Sequence, residues 1–93
     1  MLVIIKSAPD SQEGKRGVKL ADKMAADIVL LQNGAYFAQK DELENFSGTA
    51  FVLEDDKKLR GLATGDLEER VKSLDYDGLV DLMAQSDKVL GMF

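Results

Sequence analysis

The polar residues best able to do chemistry follow apolar runs in this chain. Gln32, Asn33 and Gly34 end one such run, and two aromatic residues, Tyr36 and Phe37, come almost directly afterwards. Ligands and partners of open α/β sheets meet the loops at the carboxyl ends of the strands. Other residues in such loops are therefore also site candidates: Ser7, Asp10, Lys15, Glu54, Asp55, Arg60 and Tyr76.

Two residue types that carry much of enzyme chemistry are missing. The chain has no cysteine and no histidine, which excludes thiolate nucleophiles, disulfides and ordinary zinc or haem sites. Any triad that relies on an imidazole base is excluded as well. No other set of residues combines a nucleophile with a base and an oriented acid. We expect no catalysis by the chain alone, no cofactor and no metal ion.

The acidic residues after the first and third apolar runs allow two interpretations. Asp10, Asp55 and Asp56 occupy positions like those of a response-regulator acid pocket. The chain is too short for that fold, however, and has no lysine after a fifth strand to complete the pocket. Acids are also favoured in the first turn of a helix, where the macrodipole is positive. We prefer a helix start at Glu54 to a magnesium site.

Phosphate-binding motifs are incomplete. Gly14 and Lys15 suggest a P-loop, but Pro9 stands at the first glycine position and Arg16 at the hydroxyl position. The same segment fits the GXXG of RNA-binding KH domains, yet it lies between a strand and a helix, which is wrong for that module. The net charge of -5 also argues against broad phosphate-backbone binding. We expect no direct contact with nucleic acid.

Length and composition bound the class of protein. A chain of 93 residues predicts one domain, residues 1–93, with a modest core that association with other subunits would supplement. The N-terminal apolar run is only five residues long, too short for a signal peptide or a membrane span. We expect a cytoplasmic protein with no membrane contact.

Apolar periodicity predicts alternating strands and helices. The predicted strands are 2–5, 28–31, 49–53 and 71–74, and the predicted helices are 14–26, 33–40, 54–60 and one that begins after Asp75. Continuous apolar strands are typical of a parallel sheet covered on both sides, so the pattern predicts an open α/β fold. Asn33 is expected to cap its helix and Gly61 to end the next. Residues 62–70 are expected to form a mobile or short helical connector.

Two groups of apolar residues need a cover. Successive helical residues point about 100° apart, so Tyr36 and Phe37 cannot both face the sheet. The second ring needs a neighbouring helix or another subunit, and aromatic residues are enriched in interface cores. The apolar chain end, with Met92 and Phe93, poses the same choice. In the last predicted helix, four residues share a face: Tyr76, Leu79, Val80 and Met83.

Three segments together resemble the TusB/DsrH family of sulfur-relay proteins. They are "VLLQNGAYFA", "FVLEDDKKLRGL" and "VKSLDYDGLVDLMAQSDKVLGMF". In that family a strand ending in LLQ-[ND]-[GA]-[VA]-Y leads into a short helix, and an LEDDLxxRG-like stretch and a DYDGFVxL-like final helix follow. The residues that match are Gln32, Asn33, Gly34, Tyr36, Glu54, Asp55, Arg60, Gly61, Asp75, Tyr76 and Gly78.

The resemblance implies a fold and a role. The fold is a three-layer α/β/α sandwich with a mostly parallel sheet of four to five strands. TusB-like chains join TusC-like and TusD-like subunits in a cytoplasmic complex that relays persulfide sulfur toward 2-thiolation of the tRNA wobble uridine. DsrH-like chains join DsrE-like and DsrF-like subunits in sulfur oxidisers. In both complexes the established sulfur-carrying cysteine belongs to the TusD or DsrE subunit.

The resemblance therefore predicts a non-catalytic subunit that acts through contacts. Its candidate interface residues are Gln32, Asn33, Gly34, Tyr36, Phe37, Met92 and Phe93. The alternative is a stand-alone homodimer that binds a small anionic ligand at the Ser7–Lys15 loop and the loop at Glu54. Both hypotheses stay open at the level of the sequence.

Overall fold

A five-stranded sheet organises the molecule. The computed structural model describes residues 1–62 and 67–93. The strands are β1 Leu2–Ile5, β2 Asp27–Leu30, β3 Ala50–Leu53, β4 Lys72–Leu74 and β5 Val89–Leu90. Their order is β4-β3-β2-β1-β5, and the pairings of these strands are all parallel. The predicted parallel α/β sheet is confirmed, and part of the apolar chain end forms its fifth strand.

Four helical segments connect the strands. They are α1 Gln12–Lys23, a 3₁₀ helix Gln32–Ala38, α2 Glu54–Leu59 and α3 Tyr76–Gln85. The first begins earlier than predicted because the Ser11 Oγ accepts a hydrogen bond from the Gly14 N–H at 3.0 Å and caps it. Gly61, at φ 65°, ends α2 as predicted. The connector predicted over 62–70 lies partly outside the described residues.

The two faces of the sheet carry different helices. On the first face, α1 and the 3₁₀ helix cover side chains that include Val3, Ile5 and Ile28. On the second face, α3 covers the alternate side chains, among them Leu2, Ile4 and Val29. Successive strand residues point to opposite faces, so the continuous apolar runs fill both layers. This arrangement confirms the three-layer α/β/α architecture.

The apolar face predicted for α3 is only partly correct. Asp75 caps the helix as expected, because its Oδ1 accepts a hydrogen bond from the Gly78 N–H at 2.7 Å. Leu79 is buried against the sheet, and Leu82 packs beside it. Tyr76, Val80 and Met83 are exposed instead. The sheet covers only one narrow side of the helix, which leaves the adjoining apolar residues in solvent. Among the helices that the structure describes, none is long and apolar enough to cross a membrane.

Candidate functional site

Two of the candidate segments, the one after β2 and the one after β3, are hydrogen-bonded to each other at the carboxyl edge of the sheet. The Gln32 N–H donates a hydrogen bond to the Asp56 Oδ2 at 2.7 Å, and the Arg60 Nε donates to the Asn33 Oδ1 at 3.1 Å. Arg60 also lies 3.6 Å from the Asp56 carboxylate. We call Gln32, Asn33, Asp56 and Arg60 the strand-end clasp, because they join the segment after β2 to the helix after β3.

The clasp depends on helix geometry and on shielding. Asp56 and Arg60 are four residues apart on α2, so their side chains lie on one side of the helix. Their side chains are only 16% and 19% exposed, and the Arg60 Nη1 donates a further bond to the Asp56 carbonyl oxygen at 3.3 Å. A shielded ion pair with several hydrogen bonds fixes geometry better than a solvated one. The clasp therefore holds the start of the 3₁₀ helix against α2.

The capping role predicted for Asn33 is wrong. The N-cap position of the 3₁₀ helix is Leu31, which makes no side-chain capping bond. Gln32 has a φ of 51°, in the left-handed region, and its N–H reaches Asp56 rather than a local side chain. The cap thus comes from a residue 24 positions away, and Asn33 is left free to accept from Arg60.

Gly34 is required by a close approach within the chain. Its N–H donates to the Lys6 carbonyl oxygen at 3.1 Å, just beyond the end of β1. A Cβ at this position would overlap the carbonyl oxygen of Ile5. Gly34 was an interface candidate, but the neighbour that it approaches in the structure is the chain's own first strand.

The two adjacent aromatics have different surroundings. Phe37 is 4% exposed and belongs to the first-face core, where its ring lies close to Gly14 of α1. Phe37 is therefore corrected from an interface candidate to a core residue, since the neighbouring helix provides the cover that it needs. Tyr36 is half-buried and remains at the surface.

The chain end docks on its own domain. The Phe93 carbonyl oxygen accepts hydrogen bonds from the N–H groups of Lys6 and Ser7, at 3.3 and 3.1 Å. The Phe93 ring packs against Gly17 of α1, next to Ile5. Met92, in contrast, is 53% exposed. Of the two terminal candidates, only Met92 offers most of its side chain to a partner.

The remaining candidates do not join into one site. A depression of about 540 Å³ lies beside the β1 loop and is lined by Ala8, Pro9, Asp10, Lys15, Tyr36, Gln39 and Glu42. Its lining contains one cationic side chain, Lys15, and two carboxylates, Asp10 and Glu42, so the binding of a small anion is disfavoured. Glu54 lies 3.8 Å from Lys58 along α2, while Asp55 and Tyr76 are exposed. Within residues 1–62 and 67–93, no group of three or more potential metal ligands is found.

Sequence reasoning missed two contacts at this edge. Asp56 was assigned only to a helix-start charge cluster, yet it binds a backbone N–H of another segment. Lys57 donates to the Ser73 Oγ at 2.9 Å and so connects α2 to β4. The spacing of Asp56 and Arg60 signals an ion pair, but no local pattern signals its distant partner. The Asp56 carboxylate accepts from the Gln32 N–H and pairs with Arg60, so the clasp joins two segments of the chain.

A family model described as DsrH like protein matches residues 6–89. The chain belongs to the DsrH-like family. The resemblance inferred from the three segments is thereby confirmed. In this DsrH-like chain the clasp joins two of those segments, so matched residues that were candidates for partner contact hold the chain's own elements together.

Two solved structures resemble the DsrH-like chain over nearly its whole length. The solution NMR structure of protein Tm0979 from Thermotoga maritima is 27% identical, with a TM-score of 0.68, and the match covers 98% of this chain and 100% of that one. The crystal structure of YchN protein from E. coli is 15% identical, with a TM-score of 0.81 and coverage of 98% and 97%. The second likeness concerns the fold alone. A search of curated proteins found no match.

Proposed function

We propose that this DsrH-like chain is a non-catalytic subunit of a cytoplasmic sulfur-relay complex. One observation carries the proposal: the family match spans residues 6–89 of a chain that has no cysteine. A persulfide relay passes its terminal sulfur to an acceptor thiolate, so each sulfur carrier needs a cysteine. A subunit without a thiol contributes by contact. We propose DsrE-like and DsrF-like subunits, the counterparts of TusD-like and TusC-like chains, as its partners.

The surface of the chain supports a contact role better than a ligand role. Gln32, Asn33 and Met92 are exposed and Tyr36 is half-buried, so all four can be reached by another subunit. The depression beside the β1 loop sets Lys15 against the carboxylates of Asp10 and Glu42. This balance of charge speaks against the stand-alone anion-binding alternative.

Reconstitution tests the proposal. The chain is mixed with purified DsrE-like and DsrF-like subunits from the same organism, and native mass spectrometry records the complex. The transfer of sulfur from a persulfide-loaded DsrE-like subunit to an acceptor thiolate is then measured with and without the chain. We expect a stable complex, a faster or more complete transfer in its presence, and no persulfide on the chain itself. A chain that binds neither subunit, or that transfers sulfur unaided, contradicts the proposal.

The destination of the sulfur requires its own measurement. The resemblance includes TusB-like chains, which act in 2-thiolation of the tRNA wobble uridine, and DsrH-like chains of sulfur oxidisers. Deleting the gene and measuring 2-thiouridine in total tRNA separates the two. Loss of 2-thiouridine supports the tRNA branch, whereas normal 2-thiouridine with impaired sulfide or thiosulfate oxidation supports the oxidative branch.

A further inference from the structure

An unpartnered apolar line runs along the outer side of α3. Tyr76, Val80 and Met83 are 66%, 52% and 36% exposed. Their spacing of four and three residues places them one above another on the helix surface. We call these three residues the α3 ridge. Single exposed apolar residues are common and need no explanation, but a continuous line that includes an aromatic is a candidate contact surface.

The charged residues of α3 and its N-cap have one sign. Asp77 and Asp81 each follow a ridge residue, and both are exposed. Asp75 adds a third carboxylate at the N-cap. The helix Tyr76–Gln85 contains no lysine or arginine. A surface that is apolar along one line and acidic beside it is complementary to an apolar surface with basic residues at its rim.

A second copy that pairs through its own α3 or α1 is a poor occupant. Pairing α3 with α3 would bring Asp77 and Asp81 of one copy close to the same carboxylates of the other, which is repulsive. Pairing α3 with α1 would match the charges but not the apolar line. The exposed positions of α1 are all polar or charged: Gln12, Glu13, Lys15, Arg16, Lys19, Asp22 and Lys23.

We propose that the α3 ridge docks on a different subunit, through an apolar surface flanked by lysine or arginine side chains. This inference rests on the proposed function, because the subunits of a relay complex are the partners it requires. Standard interfaces bury roughly 800 Å² on each side, so the ridge forms the centre of a wider contact. Tyr76 is the anchor, since tyrosines near an interface centre are frequent hot spots.

Binding measurements with matched variants test the assignment. The probes are purified DsrE-like and DsrF-like subunits of the same organism, singly and together, titrated with the full chain by calorimetry. Tyr76→Ser/Val80→Ser is expected to raise Kd at least about tenfold, because it removes two exposed apolar contacts. The control is Leu59→Ser, which removes an 80% exposed residue of α2 and is expected to change Kd by less than about twofold. Thermal unfolding verifies that each variant is folded.

A second variant tests the charge. Asp77→Asn/Asp81→Asn keeps the ridge and the Asp75 cap but removes the acidic rim. We expect Kd to rise by about threefold at low salt and to depend less on salt concentration than in the unmodified chain. An unchanged affinity with an unchanged salt dependence would overturn the basic character assigned to the partner surface.

Each result decides the inference. If the unmodified chain binds and the Tyr76→Ser/Val80→Ser variant binds equally well, the α3 ridge is not the docking surface, while the proposed function stands. If the unmodified chain binds neither subunit, both fail. Light scattering tests whether a second copy covers the ridge. If the chain self-associates and Tyr76→Ser/Val80→Ser abolishes that association, a second copy covers the α3 ridge and the assignment is overturned.

Discussion

The two faces of the sheet are covered to different extents, and connectivity explains why. Among the described residues, thirteen buried hydrophobic residues form the first-face cluster and five form the second. The chain passes from β1 to β4 in one direction across the sheet, and only the connection from β4 to β5 returns. Right-handed crossovers place connections that run in one direction on the same face. Most of the covering chain thus lies on the first face, and α3 covers the second.

The two faces also differ in which apolar side chains they bury. The first face buries its aromatics internally, as Phe37 and Phe46 show. The second leaves Phe51 and Leu31 half-buried beside α3, whose outer side is apolar and exposed. The first face therefore contains most of the buried core, and the second leaves more apolar surface exposed.

The largest expected effect tests the first face. Phe37→Ala removes a ring that is 4% exposed, and we expect the free energy of unfolding to fall by about 3–5 kcal/mol, a large share of the stability of a small domain. Urea denaturation measures the change. The matched control is the half-buried neighbour Tyr36→Ala, which should cost less. Unchanged stability together with a loss of oligomers would instead place Phe37 in an interface.

A smaller effect is expected on the second face. Leu79→Ala should lower the free energy of unfolding by about 2 kcal/mol, near the lower end for buried leucines, because the thinly covered face can relax into the space. Val80→Ala, at the next position but 52% exposed, should change it by less than about 0.5 kcal/mol. Equal losses for both variants would show that α3 is buried on its outer side too.

The strand-end clasp ranks third. Asp56→Ala leaves the Gln32 N–H without its acceptor and Arg60 without its partner, so we expect a loss of about 1–2 kcal/mol in thermal or urea unfolding. Asp55→Ala is the control, since Asp55 carries the same charge in the same helix turn but is exposed. If the two variants lose equal stability, the helix-start charge matters and the clasp does not.

The smallest effect concerns Asp87, which lies between α3 and β5. The Met1 ammonium lies 2.9 Å from the Asp87 carboxylate, and its hydrogen bond and positive charge hold the pKa of Asp87 below its usual value. A lowered pKa stabilises the folded state above the unfolded-state pKa, and this contribution is lost as the pH falls through the folded value. We expect Asp87→Asn to lower Tm slightly at pH 7, with the difference vanishing at acidic pH. A difference that grows on acidification would contradict this pairing.

The sequence predicted most of the fold because its strands are locally encoded. Every residue of β1 is apolar. Strands of this kind indicate a parallel sheet even when the strands that pair with them are not known. The caps at Asp75 and the stop at Gly61 were also predicted, since each bonds within a few residues of itself. Periodicity did not predict the fifth strand, which the resemblance allowed, because Val89–Leu90 is two residues long and forms a strand only by pairing with β1.

The candidate site was predicted less well, because its contacts join distant segments. The sequence identified the loops of Gln32 and Arg60 but could not pair them, and it assigned Asn33 to a local cap that the structure does not contain. The same limit applies to α3: periodicity identified its apolar residues, yet only the position of the sheet decides that Leu79 is inside and Val80 outside.

By itself, the sequence determined the alternation of strands and helices, the absence of thiol and imidazole, and the resemblance to the DsrH-like family. These properties follow from residue identity and short-range periodicity. The tertiary structure alone decided which aromatic of the pair Tyr36–Phe37 is buried, that Asp56 holds Gln32, and that one face of α3 stays free. Such outcomes depend on which surfaces meet when the sheet forms, and that is fixed by crossover direction and packing rather than by any local pattern.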